Sequence, residues 1–261
     1  MISVANAGMP VNTASWSPVA RIAYEQKNNS PITYRYSTFE RLRFEMELRA
    51  AIVAAAEAMS RSGLRFANFD RAQCNGEFWI LTPAGGFQLR NGVAPADAIR
   101  DIFVNGPMYA TECATATVIV AYKGILDSIR PADFNRLFSG LLLYDWHTQD
   151  NLLPAREAAP EEKYIGDLLY FNNPEFNPAT PEWRGENVVK MYGDFYYGHP
   201  FGVAPYRTII DGLNRGRMEG STTSAYLTNE VVFPNSNFLS RFALDAPPAI
   251  FARIGGRRYA L

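Results

Sequence analysis

The chain has 261 residues, 48% of them apolar and 13% aromatic, enough to bury one large core or two small ones. With 25 basic and 26 acidic residues the net charge is −1, so bulk electrostatics gives no drive toward nucleic acid or an anionic membrane. Two cysteines, Cys74 and Cys113, cannot make a disulfide framework and suit a reducing compartment in which a thiol stays reactive.

The opening stretch "MISVANAGMPVNTASWSP" carries no charge and no continuous apolar run, so no signal peptide is expected there. Residues 1–35 show no clear period and read as a loosely attached N-terminal arm. "STFERLRFEMELRAAIVAAAEAMSRSG" predicts a long helix, with Ser37 and Glu40 at capping-box spacing, alanines in the middle and Gly63 as the stop. "EFWILTPAGGFQLR" predicts a hairpin around a Pro/Gly turn, with Cys74 just before it in a polar stretch without a nearby histidine. "APADAIRDIFVNG" predicts a short helix with proline early and glycine at its end.

After a Gly-Pro break, "YATECATATVIVAYKG" predicts a buried helix with Cys113 in its first turn, ending near Lys123–Gly124. Its apolar run is far short of the roughly 20 residues that span a bilayer. Another short helix follows Pro131, and "REAAPEEK" reads as an exposed acidic loop. From "GLLLYDWH" onward β-branched and aromatic runs dominate: "GDLLYFNNPEF", "ENVVKMY", "DFYYGHPFGV" and "SAYLTNEVVF" predict strands, with a helix in "RTIIDGLNRGRM". The tail from Ala246 reads as irregular. The pattern is α+β, helices first and then a mostly antiparallel sheet, organised as an arm (1–35), one domain (36–245) and a tail (246–261).

Chemistry concentrates on few residues. No CxxC, HExxH, calcium-loop or glycine-rich phosphate pattern occurs, so neither a metal site nor a cofactor is expected. A buried cysteine is often only a small hydrophobe. Yet a helix N-terminus favours the thiolate and aims backbone donors at an oxyanion, so Cys113 is also placed as a nucleophile would be. The two histidines, His147 and His199, end predicted strands, where packing is the common role. Glu186 starts one, where a carboxylate is commonly solvated.

"AIVAAAEAMSRSG", "AIRDIFVNGPMYATECATATVIVAY", "LLLYDWH", "GDLLYFNNPEF" and "WRGENVV" together resemble the spore-coat protein-glutamine γ-glutamyltransferases of Bacillus and its relatives, small calcium-independent transglutaminases. The resemblance runs from about residue 34 to 230; the N-terminal arm and the tail from about Phe233 depart from it. It implies a papain- and NlpC/P60-like core, with the nucleophile on a helix packed against an antiparallel sheet. It implies Cys113 as nucleophile, Glu186 rather than a histidine as the main base, Glu112 as a partial substitute and His199 as support. It places Trp146 and Trp183 near a catalytic tunnel, with Phe69 a further candidate there. The implied partners are proteins bearing glutamine and lysine, among them spore-coat proteins, and the implied location is the spore coat, after synthesis in the mother-cell cytoplasm.

Reference pKa values of about 8.5 and 4.3 make thiol-to-glutamate proton transfer uphill by about 4.2 units, or roughly 5.7 kcal/mol. Burial of the glutamate and a helix N-terminus at the thiol are expected to close that gap from both sides. The alternative is an NlpC/P60-like cysteine amidase or peptidase, in which His199 is the base and Glu186 its accessory.

Overall fold

The computed structural model describes residues 1–5, 11–145 and 152–246, and the backbone alone of 251–254 and 257–260. At the N-terminus β1 (Ile2–Val4) pairs in parallel with β2 (Tyr34–Tyr36), on either side of α1 (Pro18–Asn28). Ser17 caps α1, its side chain accepting from the Ala20 N–H ahead of a proline at the first helical position. The long helix α2 (Phe39–Met59) is capped by Thr38, not Ser37: the Thr38 hydroxyl accepts from Arg41 N at 3.2 Å. α1 lies along α2, so this segment is not a loose arm.

Charges explain why hydrophobic patterning missed that docking. Lys27, on α1, is buried, and its Nζ donates to Glu45 Oε1 at 2.5 Å and to the Tyr36 hydroxyl at 2.8 Å. Arg49, one turn beyond Glu45 on α2, donates to Glu45 at 3.2 Å and to Asp167 at 2.8 Å. Two cations and two anions thus sit inside the molecule, joining α1, α2 and the loop at Asp167. Burial works against every one of them. Lys27 yields, with its pKa lowered, whereas Glu45 has Lys27 and Arg49 on it and is held down at about 2 despite its burial.

Beyond α2, β3 (Arg65–Phe66) is followed by the expected hairpin, β4 (Trp79–Leu81) against β5 (Phe87–Leu89), with Trp79 opposite Leu89. Next come α3 (Pro95–Val104), β6 (Ala110–Thr111), which pairs in parallel with β3, and α4 (Cys113–Ser128). From Thr115 to Tyr122 α4 is buried on every side, so tertiary packing stabilises a β-branched run that is only an average helix former. The helix does not stop at Gly124. There α2 and α4 approach closely: a Cβ on Gly124 would stand 2.5 Å from Ile52 Cγ1 and 3.0 Å from the Ile52 backbone.

After α5 (Pro131–Leu137) and β7 (Leu142–Leu143), which joins the hairpin sheet beside β5, the chain builds its main sheet. Its strands are β8 (Ala155–Glu157), β9 (Leu168–Asn172), β10 (Gly185–Lys190), β11 (Phe195–Gly198), β12 (Gly202–Pro205) and β13 (Tyr226–Val232). They are all antiparallel, in the order β12-β11-β10-β9-β13-β8. β8 arises from the stretch read as an acidic loop, paired through Arg156 and Glu157 with Val231 and Glu230. Alternation sorts the two faces. Leu168, Val189, Tyr197 and Val232 join the core under the helices, while Phe171, Val188 and Tyr196 pack with α6 (Tyr206–Arg215) on the other side. A short α7 (Ser236–Leu239) closes on α2, and β14 (Phe251–Ile254) pairs with β15 (Arg257–Ala260) where an irregular tail was expected.

Gly124→Ala should lower stability by about 1–3 kcal/mol in urea unfolding, because overpacking against Ile52 outweighs alanine's better helix propensity. An equal or more stable variant would contradict the close approach. Glu45→Ala should cost about 3–5 kcal/mol by leaving Lys27 buried without its carboxylate and Arg49 with Asp167 alone. The wild-type contribution of Glu45 should be complete above pH about 4.5 and lost as the pH falls through about 2, because its folded pKa is depressed. A Glu45→Ala variant with unchanged stability at neutral pH, or with the same acid limb as wild type, would refute this.

Candidate active site

Cys113 is the first residue of α4, and Glu112 is its N-cap. The Glu112 carboxylate accepts from Ala114 N at 2.5 Å and Thr115 N at 2.7 Å. Two of the N–H groups that a helix start leaves unpaired are therefore engaged by Glu112 rather than turned toward the thiol. Burial raises the Glu112 pKa, the bonds to Thr115 and Ala114 oppose it, and the charge of Asp145 adds to the rise.

Across from the helix start lies the beginning of β10. Asn187 Nδ2 points at Cys113 Sγ from 3.3 Å. The Thr117 hydroxyl, one turn into α4, donates to Cys113 O at 2.8 Å and lies 3.2 Å from Asn187 O, tying helix to strand. Glu186 is buried, 3% exposed, and its Oε1 has no hydrogen-bond partner. Gly198 on the neighbouring β11 makes room for it: a Cβ there would stand 2.9 Å from Glu186 Oε1.

Burial pushes the Glu186 carboxyl well above the usual carboxylate range; the charge of Glu112 pushes the same way, while the His199 backbone N–H and the Cys113 side chain oppose it. The Cys113 thiol is also raised well above its ordinary value, by burial first and then by the charges of Glu186 and Glu112, with Asn187 alone pulling it down. The expectation that the helix N-terminus lowers the thiol is thus corrected. Glu112 takes two of the helix donors and brings a negative charge in their place.

His199 is buried at the turn between β11 and β12, with Phe66 at 5.9 Å between ring centroids. The peptide bond to Pro200 is cis. Burial lowers the imidazole pKa against the backbone groups of Arg65 and Thr111, so the ring is neutral at pH 7, and its Nε2 has no partner. Its link to Glu186 runs through its own backbone N–H.

The two described aromatic candidates have different neighbours. Phe69, 37% exposed, packs on Tyr144 at 4.9 Å, and burial, then the charges of Asp145 and Glu112, raise the Tyr144 phenol. That pair therefore stands on the Glu112 side of the site. Trp183 sits in a 3₁₀ turn (Pro181–Arg184), its ring 6.5 Å from Phe201 and its Cβ and ring against Gly216. Trp146 and His147 lie outside the described residues. Cys74 is a free thiol raised by burial, with Arg90 opposing.

Sequence reading missed Asn187, Gly198 and Tyr197. The Tyr197 hydroxyl is buried without a partner, and the charges of Glu186 and Cys113 raise its pKa further after burial. One signal was available: Asn187 follows Glu186 directly at the strand start, and both side chains reach the Cys113 thiol.

A thiol set against two carboxylates at the junction of a buried helix and an antiparallel sheet defines a class of thiol-bearing acyl-transfer folds. The profile of the protein-glutamine gamma-glutamyltransferase family matches residues 1–243. The protein-glutamine gamma-glutamyltransferase of Halalkalibacterium halodurans is 41% identical over 233 residues, covering 88% of this chain and 81% of that one. That of Bacillus subtilis is 42% identical over 201 residues (77% and 81%), and that of Bacillus pumilus 45% over 207 residues (79% and 83%). A solved transglutaminase from Geobacillus stearothermophilus, without its C-terminal extension, superposes with a TM-score of 0.76 at 45% identity, covering 79% of this chain and 98% of that one. The chain belongs to the protein-glutamine gamma-glutamyltransferase family and is an enzyme of that activity. The match extends to residue 1, so the N-terminal segment does not depart from the family as the sequence suggested.

The raised thiol predicts that alkylation by iodoacetamide has its midpoint above the ordinary value of 9.0. Glu186→Gln removes a nearby negative charge and should move that midpoint to lower pH. A midpoint below the ordinary thiol value in the wild type, or an upward move in the variant, would contradict the electrostatics.

Proposed function

We propose that the enzyme joins protein glutamine to protein lysine by an isopeptide bond, through a thioester on Cys113, with Glu186 as the proton carrier. The observation that carries this reading is the thiol's surroundings: Asn187 Nδ2 and the Glu186 side chain bond it and the Glu112 charge acts on it, while His199 is not among the groups that act on it. The Cys113 sulfur attacks the γ-carboxamide carbon as its proton passes to the Glu186 carboxylate. The C–N bond then breaks, and Glu186 returns the proton to the departing ammonia. A lysine ε-amine attacks the thioester and gives a proton to Glu186. Sulfur leaves as the isopeptide forms, and the thiol recovers the proton.

Burial raises both the thiol and the carboxyl, so the site disfavours a second negative charge, and the one proton they share is passed between them rather than released to solvent. The same burial lets the amine meet the thioester before water does. Glu112 serves as cap and as a second acceptor; to take the proton its carboxylate would have to turn from the Ala114 and Thr115 N–H groups. His199 supports Glu186 through its backbone. Phe69, Trp183 and Trp146 are proposed to contact substrate. We place the core in the papain and NlpC/P60 group, on the helix-to-sheet arrangement around the thiol. The catalytic unit takes in residues 1–35 together with 36–245, because α1 and Lys27 are built into its interior. The substrates are taken to be spore-coat proteins, and the location the coat itself after synthesis in the mother cell; the similarity to the Bacillus enzymes supports this.

The test is incorporation of monodansylcadaverine into a glutamine-donor protein, with chelator present because no metal site is proposed. Cys113→Ala should abolish it and Cys74→Ser should retain it. Glu186→Gln should lower kcat by about 10²–10⁴, as for a positioned general base. His199→Ala should cost less, since alanine keeps the backbone N–H. If His199→Ala is the more damaging, or product is released without joining the amine, the Cys–His hydrolase reading replaces this one.

A further inference from the structure

An acyl transfer through sulfur needs a donor for the oxygen that becomes negative when the carbonyl is attacked. A helix N-terminus usually supplies it from backbone N–H groups. Here the Ala114 and Thr115 N–H groups are already bonded to the Glu112 carboxylate, and the backbone donor on the sulfur is the Asn187 N–H, held in the strand. Glu186 and Glu112 only accept when ionised, and Glu186 must be ionised to take the thiol proton. One side-chain donor is aimed at the reacting atom: Asn187 Nδ2, 3.3 Å from Cys113 Sγ.

Asn187 is also held in place. It is only 8% exposed, and it pairs with Tyr170 across the β10–β9 ladder. Its carbonyl lies against the Thr117 hydroxyl that bonds Cys113 O, so donor and nucleophile share one anchor. A fixed donor of this kind needs little reorganisation when charge develops.

Resting on the assignment of Cys113 as nucleophile, we propose that Asn187 is a catalytic residue whose side-chain amide follows the negative charge from sulfur to oxygen during acylation. In the resting site Nδ2–H points at Sγ. When the sulfur electron pair forms the bond to the γ-carboxamide carbon, the carbonyl π pair moves to oxygen, and the thiol proton goes to Glu186. That oxygen is two bonds from the sulfur, so a small turn of the amide transfers the hydrogen bond to it. When the adduct collapses, the C=O bond re-forms, ammonia leaves with the proton from Glu186, and the amide is released. The same sequence, with lysine as the incoming nucleophile, serves deacylation.

The experiment compares two reactions of one thiol in the full-length enzyme. Ammonia release from a glutamine-donor peptide develops an oxyanion; alkylation by iodoacetamide, at a saturated carbon, does not. Asn187→Ala should lower the maximal rate of ammonia release by about 10²–10³, the loss typical of one oxyanion donor. Its maximal alkylation rate, read above the thiol's midpoint, should change far less. Where Asn187→Ala proves unfolded by thermal melting, the near-isosteric Asn187→Asp, which loses the donor, carries the same comparison. If the two reactions fall together, or if ammonia release is unaffected, Asn187 only tunes the thiol or packs the strand and the proposal is overturned. Cys113→Ala, run alongside, separates the two levels. If it still releases ammonia the nucleophile assignment fails, whereas an inactive Cys113→Ala with equal falls in the Asn187 variants overturns the donor role alone.

Discussion

The structure depends on the seam between the first turn of α4 and the start of β10. Thr117 bridges the Cys113 and Asn187 carbonyls, Asn187 reaches the sulfur, and the next strand residue back is Glu186. Behind the seam, α4 is enclosed by α2 on one side and the sheet on the other, with Gly124 allowing α2 and α4 to meet without a side chain between them. A helix so enclosed cannot shift without disturbing the core. The thiol is therefore positioned by packing that extends well beyond its immediate contacts.

Burial then sets the chemistry. Thiol, Glu186 and Glu112 all have their ionisation disfavoured by the lost hydration, and each negative charge that forms disfavours the others. This differs from activating a cysteine by making it a stable thiolate. In the proposed mechanism the pair behaves as one titrating unit in which a proton is exchanged as the sulfur attacks, so its pH dependence belongs to the pair rather than to either residue. His199, neutral and off the thiol, fits such a site because it adds no positive charge that would fix the thiolate.

Much of this was legible in the sequence. The order of helices and strands followed from periodicity and from Gly and Pro punctuation, and the Gly-Pro break put Cys113 at a helix start. What escaped was non-local. α1 is docked through Lys27, Glu45, Arg49 and Asp167, whose pairing joins residues far apart in the chain and leaves no apolar period to read. Gly124 looked like a stop because its reason for being glycine is Ile52 on another helix. The sign of the thiol's shift was misread because burial dominates it, and because Glu112, a residue recognised for its charge, is the cap that takes two of the helix donors. Asn187 carried no motif of its own beyond its place after Glu186.

The central claim is that Cys113 carries the acyl group. The most direct measurement is acid-quenched mass spectrometry of the enzyme incubated with a glutamine-donor peptide and no amine. The account predicts a single adduct, the donor peptide less ammonia, mapped to the proteolytic fragment bearing Cys113 and removed by hydroxylamine. An adduct on Cys74, or turnover with no covalent species at any quench time, would contradict it.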